Sequence, residues 1–192
     1  VELTGDEAIA LYDDPAIKSI APNRQHRALT DQSPAFINAD DVWAGLGLPE
    51  GYTGEGMVIG VIDTGISPDN PSFADSYMED GDLVTITNPN GSGSYLGICN
   101  PDEEPNEWIA YDPAFQCNDK LIGAYVYEPD ARYMPDPDLT YDQDGHCSHT
   151  ASTAGGNPTE FTKYGRSWSI SGIAPRANII SYGGCCEDAA LL

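Results

Sequence analysis

The most sustained apolar run in the chain is Met57-Val58-Ile59-Gly60-Val61-Ile62, and it is broken by Asp63-Thr64-Gly65. A short run rich in Val and Ile, without alternation, predicts a strand buried on both faces of a parallel sheet. Asp63 then stands at the strand's carboxyl end, where open α/β sheets place binding and catalytic groups, although Asp-Thr-Gly is equally good turn chemistry. A second run, Ala177-Asn178-Ile179-Ile180-Ser181-Tyr182, follows the turn Gly172-Ile173-Ala174-Pro175 and predicts another buried strand. Between them, His146 to Gly156 carries small side chains almost throughout. That segment predicts a closely packed helix stopped by Gly155-Gly156. Strand, helix and strand in this order imply parallel βαβ architecture, an α/β fold.

The flanking segments are weaker. Thr4-Gly5-Asp6-Glu7 fits a capping box, and Ala8, Ile9, Leu11 and Tyr12 follow at helical spacing until Pro15. Ala16 to Ala21 alternates like a half-buried strand, and Pro22 to Thr30, with Arg24 and Arg27, reads as an extended linker. A helix and strand this short cannot fold alone. A short helix is expected around Asp41-Val42-Trp43-Ala44, closed by Gly45 and Gly47. Residues 67–140 are dominated by Pro, Asp, Asn, Gly and Tyr, which predicts irregular surface structure with two strands, Leu83–Thr87 and Leu121–Tyr127. A loop region of this length is usually functional or an insertion. Asn90-Gly91-Ser92 is a formal glycosylation acceptor.

Composition adds one strong constraint. Of 192 residues, 31 are acidic and 8 basic, a formal net charge of −23. Such a chain repels nucleic acid phosphates and anionic membrane surfaces, so neither is expected as a partner. No stretch approaches the roughly 20 apolar residues of a membrane span. There is no initiator Met and no signal peptide, and Cys185 to Leu192 reads as the start of a helix. The expectation is an internal piece of a longer precursor.

Three histidines are available for chemistry: His26, His146 and His149. His26 lies in the basic linker without a supporting pattern. His146 opens the small-residue helix, where the helix dipole disfavours the cationic imidazole and so favours the neutral form that a general base requires. Asp63 is able to accept a hydrogen bond from one ring nitrogen and leave the other to a nucleophile. A rival reading is a metal site, because Asp144, His146, Cys147 and His149 lie within six residues and are all ligand types. Against it, no HExxH glutamate is present, and the flanking small residues suit a core helix.

Gly60-Val61-Ile62-Asp63-Thr64-Gly65-Ile66, with Pro71-Ser72-Phe73, resembles the aspartate motif of subtilisin-like serine proteases, the subtilases. Asp144-Gly145-His146-Cys147-Ser148-His149-Thr150-Ala151-Ser152-Thr153-Ala154-Gly155-Gly156-Asn157 resembles their histidine motif. Gly172-Ile173-Ala174-Pro175 matches the segment that follows it, and Cys117-Asn118-Asp119-Lys120-Leu121-Ile122-Gly123-Ala124 is similar to the larger, plant-type and related bacterial branch. The family usually has Gly-Thr after the catalytic histidine, whereas this chain has Cys147-Ser148.

The resemblance implies a subtilisin-like parallel sheet with flanking helices, incomplete in this chain. It implies a secreted, extracellular serine endopeptidase acting on protein or peptide substrates, with Asp63 orienting His146 as general base and His149 structural. The nucleophile of the family sits in Gly-Thr-Ser-Met-Ala, which is absent here. Ser92, Ser94, Ser167, Ser169 and Ser171 are read as structural or solvated. The chain alone is therefore expected to be inactive, with the nucleophile supplied by the remainder of the same precursor chain. Residues 1–30 resemble the tail of an inhibitor-type propeptide, and 31–192 the N-terminal part of the catalytic domain, with a loop-rich insertion at about 76–140. No cofactor is implied, although structural calcium is compatible with the many carboxylates. Related enzymes bridge a pair such as Cys99 and Cys117, whereas Cys147, Cys185 and Cys186 are left without an assigned partner. A catalytically inactive, subtilase-like binding module is the alternative from another class, with Cys147 as its motive.

Overall fold

The computed structural model describes residues 3–12, 14–20, 32–104, 111–126, 140–143, 145–163 and 165–183. Its centre is a four-stranded parallel sheet in the order β1-β8-β5-β4. The strands are β1 (Val58–Asp63), β4 (Leu96–Gly97), β5 (Leu121–Val126) and β8 (Asn178–Gly183). β8 is flanked on both sides, with Asp63 opposite Gly183 on one edge and Val126 opposite Gly183 on the other.

Helix α4 (His146–Gly155) joins the first half of the sheet to β8 and packs on one face of it. Its small residues let it lie close. A Cβ placed on Gly155 would come 3.0 Å from Ile59 Cδ1, and one on Gly172 would collide with the backbone of Gly155 and Gly156. The helix ends at Gly156, on the glycine pair that was expected to stop it. Beneath α4 the core gathers Ile66, Phe73, Leu121, Ala124, Cys147, Ala151 and Ile179, all fully buried. Phe115 extends it, meeting Tyr141 edge-to-face at 5.2 Å.

β1 departs from the expectation of burial on both faces. Among the described residues it is an edge strand, and Val58 and Ile62 are 43% and 58% exposed. Val61 on the α4 side packs against the core, whereas among the described residues no layer covers Val58 and Ile62 on the opposite face. There Ile62, Tyr182 and Tyr125 stand in one row across three strands, the two tyrosine rings stacked at 5.2 Å. An apolar run reports that a strand prefers burial; it does not report which chain segment supplies the second layer.

The smaller elements were partly foreseen. α1 (Gly5–Leu11) has its capping box, with the Glu7 N–H donating to Thr4 Oγ1 and the Thr4 N–H to Glu7 Oε2 at 2.8 Å. Residues 14–20 form no strand, and Ala21 and the linker to Thr30, including His26, lie outside the described residues. Two short helices follow, α2 (Ser33–Phe36) and α3 (Ala39–Trp43), and the Trp43 indole N–H donates to the Ile173 carbonyl at 2.9 Å. Two antiparallel hairpins stand outside the sheet, β2 (Ser76–Glu79) with β3 (Asp82–Thr85) and β6 (Thr159–Lys163) with β7 (Arg166–Ile170). Arg176 ties the first hairpin to the turn before β8, reaching Glu79 at 2.8 Å and Glu55 at 3.1 Å.

Two devices fasten the long segment between β1 and α4. Cys99 and Cys117 form a disulfide, Cα to Cα 5.9 Å, across 18 residues of sequence. Closing a loop of this size stabilises by about 3 kcal/mol through the unfolded chain. Replacing both cysteines with serine should therefore lower the free energy of unfolding by about that amount in urea titrations; an unchanged midpoint would show that the loop is held by its other contacts. The second device is Lys120, fully buried, whose ammonium nitrogen donates to the carbonyls of Pro175 at 2.7 Å and Ala177 at 2.6 Å. No helix among the described residues is long and apolar enough to cross a membrane.

Candidate active site

Asp63 is the last residue of β1 and His146 the first of α4, so a parallel strand and the helix packed on it present their ends to the same place. The imidazole Nδ1 lies 2.8 Å from Asp63 Oδ1 and 2.9 Å from Oδ2. Two further donors hold the carboxylate: the Thr64 N–H at 2.8 Å on Oδ1 and the Thr150 hydroxyl at 3.1 Å on Oδ2. Burial would raise the Asp63 carboxyl, but the bonds from His146, Thr64 and Thr150 together outweigh it and hold the group below the usual carboxylate range. A carboxylate that stays ionised fixes the tautomer, because Nδ1–H donates to it and Nε2 keeps its lone pair. The Asp63 side chain is 10% exposed and the His146 side chain 64%. One end of the ring is therefore anchored in a shielded carboxylate while most of the side chain is exposed. Such an imidazole is able to take a proton from a neighbouring hydroxyl and return it.

The helix start explains why His146 is presented in this way. The N-cap is Gly145, in the left-handed region at φ 85°, and it has no side chain to cap with. Asp142 supplies the cap from outside the helix, accepting from the Gly145 N–H at 2.8 Å and the Ser148 N–H at 2.7 Å. Cys147, where the family usually has Gly, is wholly buried in the core under α4, and burial pushes its free thiol up to about 11. The Asp63–His146 pair forms with this cysteine in place. Ser148 Oγ accepts from the Ser67 N–H at 3.1 Å.

The remaining candidates fall elsewhere. His149 is exposed one turn along α4 and borders a small cavity with Ser72, Asn157 and Ser171. The Ser92 hydroxyl donates to Asp119, 27 residues away, at 2.5 Å and that of Ser171 to the neighbouring Gly172 carbonyl at 2.9 Å, so both are engaged away from His146. Ser167 and Ser169 lie on the exposed strand β7. Asp144 lies outside the described residues, and among those described no three His, Cys, Asp or Glu side chains are grouped to hold a metal ion. Thr150 and Asp142 were missed by sequence reasoning. Thr150 has a local signal, since a residue four positions after His146 on a helix shares its face. Asp142 has none, because its reach to Ser148 depends on the loop's course.

The subtilase family profile matches residues 54–191. Among curated relatives, the subtilisin-like protease SBT2.6 of Arabidopsis thaliana is 38% identical over 190 residues, covering 92% of this chain and 21% of its own length. SBT2.5 of the same plant is 34% identical over 189 residues, again 92% of this chain and 21% of the relative. SBT1.3 is 30% identical over 204 residues, 96% of this chain and 23% of the relative. The chain thus spans about a fifth of the length of the relatives it matches. With a parallel sheet, an aspartate at the end of its strand and a histidine at the start of the helix packed on it, the chain belongs to the subtilase family.

Proposed function

We propose that this chain is the N-terminal part of a secreted serine endopeptidase, in which Asp63 orients His146 and His146 serves as general base. The observation that carries this reading is the pairing of His146 Nδ1 with both oxygens of a shielded Asp63. Asp63 holds the ring in one tautomer and stabilises the imidazolium that forms when Nε2 takes a proton. The serine that gives up this proton belongs to the remainder of the protein. Residues 1–30 are assigned to the end of an inhibitor-type propeptide and 31–192 to the catalytic domain; in support, α1 buries none of its side chains.

In the intact protein a fluorophosphonate probe should label one serine and abolish casein cleavage, whereas the isolated 192-residue chain should do neither. Casein cleavage by the isolated chain at a fluorophosphonate-sensitive rate would overturn the assignment. An intact protein that binds peptides but carries no reactive serine would instead be the inactive binding module.

A further inference from the structure

Asp142 makes more bonds than a helix cap requires. Its Oδ2 accepts from the Ser148 N–H, and its Oδ1 accepts both the Gly145 N–H and, at 3.3 Å, the hydroxyl of Thr64, the residue that follows Asp63. Ser148 adds a parallel tie, its Oγ accepting from the Ser67 N–H. The first turn of α4 is thus bound twice to the segment leaving β1. This matters because Asp63 and His146 lie 83 residues apart and end two separate elements. Strand and helix are each stiff, but the gap between their ends is set only by packing and by cross-links such as these. A negative group at the helix start is also favoured by the helix dipole. Burial would raise the Asp142 carboxyl, yet the donors from Ser148, Gly145 and Thr64 outweigh it and keep it below the usual carboxylate range.

We propose that Asp142 is a positioning residue for the Asp63–His146 pair: its carboxylate clamps the first turn of α4 to the residue after Asp63 and so sets the approach of the imidazole to the carboxylate. The proposal rests on the catalytic reading of that pair. Asp142→Ala in the intact enzyme should lower kcat, per titrated active site, by about 10- to 100-fold and leave KM within about twofold, since a displacement near 1 Å costs this much in an aligned site. Asp142→Asn keeps one of the two acceptors and should recover part of the loss. Thr64→Val should lose less, and its effect should not add to that of Asp142→Ala, which already cuts the same tie. These two milder variants carry the test if Asp142→Ala does not fold.

A simple helix cap would lower Tm in these variants and leave kcat per site unchanged, and that result would overturn the proposal. A second readout needs no turnover. The proton between His146 Nδ1 and Asp63 should give a sharp, strongly downfield NMR signal in the parent protein, and this signal should broaden or vanish in the Asp142 variants. If it is unchanged, positioning by Asp142 is wrong whatever the activity. If it is lost in a protein that never turns over, the catalytic reading falls and the clamp stands.

Discussion

Asp63→Asn in the intact enzyme should reduce kcat by a factor on the order of 10⁴, the scale at which a triad enzyme suffers from loss of its orienting carboxylate. The surroundings of Asp63 explain why an amide is a poor substitute. Three donors converge on its two oxygens: the His146 ring, the Thr64 N–H and the Thr150 hydroxyl. The NH₂ group of an asparagine would have to face one of them. If it faces the ring, the imidazole must present Nδ1 as an acceptor, which puts the proton on Nε2, where none is wanted. If it faces Thr150, the tautomer survives, but a neutral amide no longer balances the imidazolium. Either route leaves the fold intact, because Asp63 is replaced by a side chain of the same shape. The measurement is kcat per titrated site alongside Tm. A loss below about tenfold with an unchanged Tm would mean that His146 is oriented by other groups and that Asp63 has been given too large a role.

The second large effect is on stability. Lys120 is wholly buried with no acidic partner in hydrogen-bond reach among the described residues, and burial pulls its ammonium down to about 7 from the usual 10.5. An uncharged amine has two N–H groups, and the two carbonyls of Pro175 and Ala177 lie where they point. In the window from about 7 to 10.5 the unfolded chain binds the proton and the folded chain does not. Stability attributable to this residue therefore rises with pH through that window and is level below it. A shift of this size corresponds to several kcal/mol, on the order of 3–5. Lys120→Met removes the titration and leaves both carbonyls without a donor, a cost of about 1–3 kcal/mol for each buried group. Urea unfolding of parent and variant should consequently differ little near pH 6.5 and diverge by several kcal/mol near pH 9.5, the parent being the more stable. Parallel stability–pH curves for the two proteins would show that Lys120 keeps its charge in the fold.

Much of the sheet and its helix was legible because each element carries its own local signal. The run from Val58 to Ile62 stops at Asp63, and the small-residue helix stops at Gly156, and both boundaries appear in the structure. The first hairpin was half read: β3 overlaps the strand expected at Leu83–Thr87, whereas β2 was submerged in a region read as loop. Asp80-Gly81 is strong two-residue turn chemistry, and both residues take positive φ between β2 and β3. The hairpin of β6 and β7 likewise alternates Phe161 and Trp168 with polar neighbours and turns at Gly165. What could not be read was relational. The exposure of Ile62 depends on which layer covers the sheet, and the clamp by Asp142 depends on how a loop returns to Thr64. Asp63 and His146 stand between these cases. Their residue types and the motifs around them were visible in sequence, but only the folded chain brings Nδ1 to the carboxylate.

The position of β8 in the middle of the sheet also has a consequence in time. β1 pairs with β8 and with no other described strand, and β8 begins about 120 residues later in the chain. At roughly 5–20 residues per second, a ribosome takes about 6–24 s to cover that distance. Throughout the interval Val58, Ile59, Val61 and Ile62 are an apolar strand without a neighbour among the described strands. β5 also awaits β8 on one side, with only the two-residue β4 beside it on the other. Both long ladders thus close only when this one strand arrives, after His146 and Thr150, the partners of Asp63, have already been made.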